Sequence, residues 1–351
     1  MRIALLSYST KPRGGVVHTL ALAEALAALG ADVTVWTLGR GGDSGFFRPV
    51  DPRVTTMVVP FPEVPGESVG SRIVRSIAVL GAAFPDGEYD IVHAQDCISA
   101  NAVDRCVRTV HHLDTFTTPE LAACHERAIT RPFAHVCVSA SVAAEVRAGW
   151  GIEATVIPNG VDAARFSSAP YGDWRARFGR YVLAVGGIEP RKGSLDLLEA
   201  VALLDPAVRL VIAGGETLFD YRDYRERWDK RAAALGVDPV VLGPVAHDSL
   251  PSLVRSAAVF AFPSTKEGFG LAAMEALAAG VPLVARDLPV LREVFGGVAR
   301  FAATPHGFAA SIEAALDSGP EDRAAGVALA ERHTWAAAAR AHLELYRSLV
   351  G

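Results

Sequence analysis

The sequence lacks most of the features that settle a function early. Only four cysteines occur among 351 residues, at Cys97, Cys106, Cys124 and Cys137, and no two form a C-x-x-C pair. That spacing speaks against a zinc site or a disulfide framework and for free thiols in a reducing cytoplasm. No uninterrupted apolar run reaches the roughly 18 residues that a membrane span needs. The opening "MRIALLSYSTKPRGG" has an apolar stretch, Ile3 to Leu6, too short for a signal peptide. A cytoplasmic location is the expectation from this. Positive charge is not in excess either. The formal net charge is −5, so no electrostatic footprint for nucleic acid exists. There is no H-E-x-x-H and no pair of aspartates with a one-residue spacer to hold a magnesium–diphosphate. No required metal is expected. No G-x-G-x-x-G is present to announce a dinucleotide.

What the chain has is core. It is 50% hydrophobic and 21% charged, with mean hydropathy +0.25, which describes a globular protein whose length suits two domains. "RIALLSY" reads as a strand, "GGVVHTLALAEALAALG" as a glycine turn and helix, and "ADVTVWTL" as a second strand. "YDIVHA", "VRTVHH", "AHVCVSA" and "ATVIPNG" continue as strands with helical stretches between most of them. The pattern restarts at "RYVLAVGGIEPRKGSLDLLEAVALL", followed by "VRLVIAGG", "PVVLGPV", "AAVFAFPS", "VPLVARD" and "GVARFAA". Near-continuous apolar runs are the mark of parallel strands covered on both faces. The fold class is therefore α/β, two doubly wound Rossmann-like halves. The joint falls in the turn-rich stretch from Pro158 to Arg180, and "TWAAAARAHLELYRSLV" reads as one closing amphipathic helix.

In open α/β sheets ligands bind beyond the carboxyl ends of the strands. Residues there are the site candidates. Gly14 and Gly15 follow the first strand and precede a helix, where the backbone can approach an anion; a tight turn explains them equally well. Arg191 and Lys192 occupy the same place in the second half, as a diphosphate clamp or a solvated basic turn. His111 and His112 end a strand, and alternation points one of them toward a ligand. In "STKEGFGLAAMEALAAGVP" the helix should run from about Phe269 to Ala279, with Glu267 in the loop before it. The helix dipole alone would explain Glu267. It does not explain Glu275, whose neighbours Leu271, Ala272, Met274, Leu277 and Ala278 are apolar. A carboxylate in that setting needs a hydrogen-bonded partner, such as a ribose or sugar diol.

Taken in order, "GGVVHTLALAEALAALGADVTVW", "YDIVHAQD", "TVHHLD", "VIPNGVDAARF", "VGGIEPRKG", the long segment ending "STKEGFGLAAMEALAAGVPLVA", and "REVFGG" resemble the retaining, nucleotide-sugar-dependent glycosyltransferases of the GT-B fold. That is the glycosyltransferase family 4-like, group 1 type. The resemblance spans nearly the whole chain. It implies two Rossmann-like domains facing across a cleft: an acceptor domain over 1–165, a nucleotide-sugar donor domain over 166–332, and a C-terminal helix, 333–351, packing back toward the first. It implies that Gly15 brings backbone N–H near the donor diphosphate, with Gly14 beside it. Lys192 pairs with the phosphates, and Glu267 holds donor-sugar hydroxyls. The backbone at Gly268, Phe269, Gly270 and Leu271 binds sugar or phosphate, and Glu275 holds the ribose. His111 stands near the reacting sugar, with His112 as fallback; Lys192, Glu267 and His111 are the catalytic candidates. The partners implied are a nucleotide-sugar donor and an acceptor hydroxyl, with no cofactor. The sequence departs from the family at Gly187, where an arginine is usual, leaving Arg191 as a substitute, and at Gln95, where a histidine is common.

Three rivals accompany that reading: a glycoside hydrolase with paired carboxylates, a nucleotide-sugar epimerase of similar fold, and a nucleotide-sugar-binding protein with little catalysis. The base, sugar, acceptor and oligomeric state are not legible. Membrane contact through "GSRIVRSIAVLGAAF" has only Arg72 and Arg75 in its favour, too few for a membrane surface.

Overall fold

Strand β1 (Arg2–Leu6) is buried from Ile3 onward, and the glycine pair after it opens helix α1 (Gly14–Ala28). This strand–turn–helix step recurs through the chain. The computed structural model describes residues 1–114, 116, 118–214 and 221–351. After α1 come β2 (Asp32–Arg40), β3 (Val54–Phe61), α2 (Val69–Ala83), β4 (Ile91–Ala94), α3 (Cys97–Ala102) and β5 (Val107–Val110). Next are α4 (Pro119–Thr130), β6 (Ala134–Cys137), α5 (Ala140–Trp150) and β7 (Thr155–Val156). The second half holds α6 (Ala163–Ser167), α7 (Trp174–Phe178), β8 (Arg180–Val185), α8 (Ser194–Val201), β9 (Val208–Ala213), α9 (Arg222–Leu235) and β10 (Val240–Gly243). It continues with α10 (Leu250–Ser256), β11 (Val259–Phe262), α11 (Leu271–Ala278), β12 (Leu283–Arg286) and α12 (Pro289–Phe295). The chain closes with β13 (Arg300–Ala302), α13 (Pro305–Leu316), α14 (Pro320–Arg332) and α15 (Trp335–Val350).

Two compact units result. One comprises Met1–Gly160 with Trp335–Gly351, the other Val161–Thr334; the sequence reading had placed the borders at 165/166 and 332/333. The first unit carries a seven-stranded sheet in the order β3-β2-β1-β4-β5-β6-β7, the second a six-stranded sheet in the order β10-β9-β8-β11-β12-β13. The described strand pairs are all parallel, for instance Ile3 opposite both Val33 and Ile91. Helix α15 joins the first unit through Ala338, Ala339, Leu343 and Tyr346, which share a core cluster with Leu20, Leu22 and Leu26 of α1. Each large apolar side chain buried this way contributes about 1.5–3 kcal/mol.

Strand β3 escaped the sequence reading. Its middle is largely exposed and it contains Pro60, which an edge strand tolerates because that side of the ladder is unpaired. Helix α11 starts at Leu271 rather than Phe269, because Gly270 takes φ +98. All four cysteines are free thiols. No helix among the described residues is long and apolar enough to cross a membrane.

Candidate active site

Each sheet order reverses once, between β1 and β4 in the first unit and between β8 and β11 in the second. The loops leaving adjacent strands diverge at such a point and open a crevice. In the second unit those loops carry Gly186 to Gly193 after β8, and Pro263 to Gly270 after β11. They are tied together. The backbone N–H of Thr265 donates to the carbonyl of Arg191 at 2.8 Å. Gly193 sits at φ +61, and a Cβ there would collide with the Pro263 carbonyl oxygen. Arg286, at the end of β12, donates to that same carbonyl at 2.8 Å and pairs with Asp196 of α8.

The charged residues singled out in these loops meet each other. Lys192 Nζ lies 2.6 Å from Glu267 Oε1, and Arg191 Nη1 lies 3.3 Å from the same oxygen. Arg191 also donates to the Lys266 carbonyl at 3.3 Å and to Glu189 Oε1 at 3.1 Å. Glu267 is thus held by two cations from the facing loop, not by the dipole of the helix that follows it. Burial pushes its carboxyl up, but Lys192 and Arg191 outweigh burial and leave it below the ordinary range. Lys192 has three N–H donors and spends one on Glu267, so it can still serve an anion. A small cavity beside it is lined by Gly186, Gly187, Ser194, Phe262 and Ser264.

Gly270, at φ +98, packs against Phe262 and Phe295, where a Cβ would meet ring carbons at 3.0–3.2 Å. The chain thereby turns sharply into α11 with its first backbone N–H groups uncapped by any side chain. One turn on, Glu275 lies among buried Ala273, Met274, Ala276 and Leu277. Burial raises its pKa to about 7; Arg165 pulls it down and Asp162 pushes it up. Among the described residues no hydrogen bond is made to this carboxylate, so the partner that its apolar surroundings call for is not supplied by the described fold.

In the first unit Gly15 lies in the first turn of α1 beside His111: a Cβ on it would sit 3.8 Å from the His111 ring. The His111 ring packs edge-on to His18 at 4.7 Å, and its Nε2 is buried with no hydrogen-bond partner among the described residues. Burial, then His18 and Arg108, hold His111 well below its ordinary pKa, so it is neutral at pH 7. His112 turns instead to Asp114, 3.3 Å away. Of the two adjacent histidines, the structure therefore groups His111 with Gly15. Gly14 has nothing near its Cβ position. Among the described residues, no group of three or more His, Cys, Asp and Glu is placed to hold a metal ion.

Sequence reasoning missed three participants. Glu189 precedes the Arg191–Lys192 pair by two residues and engages Arg191; an acid so close to two cations was a readable signal. Asp162 and Arg165, which bias Glu275, lie 113 and 110 positions before it, and no local pattern announced them. Because Arg191 already spends its guanidinium on Glu189, Lys266 and Glu267, Arg191→Ala is expected to slow turnover by about tenfold, well short of the loss from removing Lys192. Steady-state rates of the two variants side by side check this; equal losses would mean that Arg191 does the work of the arginine missing at Gly187.

Residues 178–341 match the family described as "Glycosyl transferases group 1", and residues 12–165 match "Glycosyltransferase Family 4". The chain is 30% identical over 387 residues to phosphatidyl-myo-inositol mannosyltransferase of Mycolicibacterium smegmatis, covering 100% of this chain and 95% of that protein. Among solved structures, sucrose-phosphate synthase from Thermosynechococcus elongatus superposes with a TM-score of 0.81 at 22% identity, over 99% of this chain and 98% of that one. Anabaena HepE in complex with UDP-glucose gives 0.79 at 19% identity, over 99% and 100%. These two likenesses bear on the fold alone.

Proposed function

Because the chain belongs to the GT-B glycosyltransferases of group 1 and family 4, we propose that it takes a sugar from a nucleoside diphosphate sugar and passes it to an acceptor hydroxyl with anomeric retention. The observation that carries this reading is the Lys192–Glu267–Arg191 cluster at the switch point of the second unit, next to the uncapped start of α11. A leaving diphosphate gathers negative charge, and preorganised cations and backbone N–H groups aimed at it supply the largest catalytic term. Lys192 meets the phosphates, and the N–H groups of Phe269, Gly270 and Leu271 meet phosphate or sugar. Glu267, already ionised, accepts from donor-sugar hydroxyls. Glu275 accepts from the ribose diol. Gly15 and the neutral His111 attend the diphosphate and the reacting sugar. The leaving phosphate oxygen takes the acceptor proton, so no carboxylate attacks the anomeric carbon.

A panel of nucleotide sugars with and without hydroxyl acceptors tests the reading. Release of nucleoside diphosphate only when acceptor is present supports it; donor binding with no transfer to any acceptor overturns it. The charge is met by side chains, so the transfer rate is expected to be the same before and after dialysis against EDTA. A rate lost on chelation and restored by a divalent cation would end the metal-independent scheme.

A further inference from the structure

His18 is a buried imidazole packed directly against His111. It follows Gly15 by three residues on α1, so the two lie on one face of the helix, a turn apart. Both meet the His111 ring. A Cβ on Gly15 would stand 3.8 Å from two atoms of that ring. The His18 ring meets it edge-on, with centroids 4.7 Å apart and planes at 79°. Gly15, having no side chain, lets the helix turn approach His111, and His18 supplies the ring contact.

His18 is itself held. It is 1% exposed, and its Nδ1 lies 2.9 Å from Oδ1 of Asn159, which is buried too. An amide oxygen only accepts, so Nδ1–H donates and the tautomer is fixed. Nε2 is then a bare lone pair, buried with no hydrogen-bond partner among the described residues. Burial first, then His342 of α15, press the His18 pKa down to about 3 against the bond to Asn159, so it is uncharged at pH 7. The Trp335 ring closes another side at 5.3 Å. Asn159 stands one residue before the chain leaves the first unit at Gly160, and Trp335 stands where it returns. A leucine or phenylalanine would fill the place of His18 without burying an unpaired nitrogen, which is costly. What the imidazole adds is one directed bond, and that bond fixes the plane of its ring.

We infer that His18 and Asn159 are positioning residues for His111: Asn159 fixes the plane of His18, and His18 fixes the plane of His111. They act through His111 rather than on substrate. The consequence for catalysis rests on the transferase reading above, because only that reading sets a sugar before His111; the mutual hold of the three side chains does not. A group beside the reacting centre acts at full strength in one orientation, and a displacement of about 1 Å can cost about a hundredfold in rate.

The test compares the full-length wild type with Asn159→Leu, His18→Ala and His18→Phe, each checked for folding by its thermal midpoint. Asn159→Leu keeps the volume and removes the acceptor; His18→Phe keeps a ring against His111 and loses the bond. The expected kcat is about ten- to hundredfold lower in Asn159→Leu and His18→Ala, with donor KM within about twofold of wild type. His18→Phe should fall between His18→Ala and wild type, and it carries the kinetic test if His18→Ala fails to fold. Ring spectra of the isotope-labelled histidines give a second readout that needs no turnover. The His111 signals, identified by their loss in His111→Gln, should shift or broaden in Asn159→Leu, where the ring beside His111 is still an imidazole. Wild-type kcat in both volume-preserving variants, or unchanged His111 signals in Asn159→Leu, overturns the inference. So does a donor KM that rises in step with the loss of kcat, the mark of a damaged donor site. If the wild type transfers no sugar, the transferase reading falls, and the ring spectra alone decide whether Asn159 and His18 hold His111.

Discussion

Lys192→Ala is expected to lower kcat by about 10²–10³-fold, the usual loss on removing one preorganised donor from a developing negative charge, while nucleotide affinity changes far less. The structure adds a complication that a simple charge deletion overlooks. Lys192 is also the closest partner of Glu267, at 2.6 Å. Burial alone would raise the Glu267 pKa, and the two cations reverse that effect. A carboxyl whose folded pKa lies below its unfolded one contributes stability that is present above the unfolded value and is lost as pH falls through the folded value. Taking Lys192 away leaves a buried carboxylate with Arg191 as its remaining cation, so the variant should also lose about 1–3 kcal/mol at neutral pH. A slow enzyme is then open to being blamed on a damaged fold. Lys192→Ala/Glu267→Ala cannot separate the two, because it opens a hole; Lys192→Ala/Glu267→Gln can. The double variant should regain stability in urea unfolding at pH 7 and remain catalytically poor. If it turned over like wild type, Lys192 would serve only to balance Glu267, and the phosphate role would be lost.

That coupling marks the limit of what the residues show in order. The strand–turn–helix steps, the restart near Tyr181, and the identity of Lys192, Glu267 and Glu275 as site candidates were legible, because each rests on local periodicity or on position after a strand. The pairing was not. Lys192 and Glu267 are 75 positions apart, and only the reversal of strand order between β8 and β11 makes them neighbours. From the residues alone the helix dipole sufficed to explain Glu267, and only the resemblance gave it sugar hydroxyls to hold; its ion pairs with Lys192 and Arg191 were not legible. His111 and His112 were equivalent by sequence because both follow the last residue of β5. The placement of α1 against that strand end distinguishes them, by setting Gly15 beside one ring and leaving the other to Asp114. Strand β3 was missed for the opposite reason: an edge strand with an exposed middle has neither the apolar run of a central strand nor a clean alternation.

Glu275→Gln is expected to make the unliganded protein more stable and a poorer nucleotide binder at the same time. The ordinary value of its carboxyl is 4.5 and the folded value about 7. Between those two, the folded state holds a proton that the unfolded chain has given up, so stability falls as pH rises through that interval. About 2.5 pH units at about 1.4 kcal/mol each put the penalty at about 3–4 kcal/mol once both states are ionised. Glutamine removes the ionisation, so unfolding midpoints should converge near pH 4.5, part as pH rises from there to about 7, and keep a constant gap above that. Nucleotide binding runs the other way. A ribose diol donates hydrogen bonds to the ionised form, so wild-type affinity should rise from pH 6 to pH 8 with proton release on binding. Glu275→Gln should bind about ten- to hundredfold more weakly at pH 8 and show little pH dependence. Calorimetry in two buffers of different ionisation enthalpy reads both effects. The same experiment addresses the hydrolase-like alternative, in which one carboxyl is pushed up and its neighbour down to form an acid–base pair. A general acid would cost kcat when changed to glutamine and leave the nucleotide Kd alone. Loss of affinity together with gain of stability is the outcome that only a ribose-holding carboxylate in an apolar setting produces.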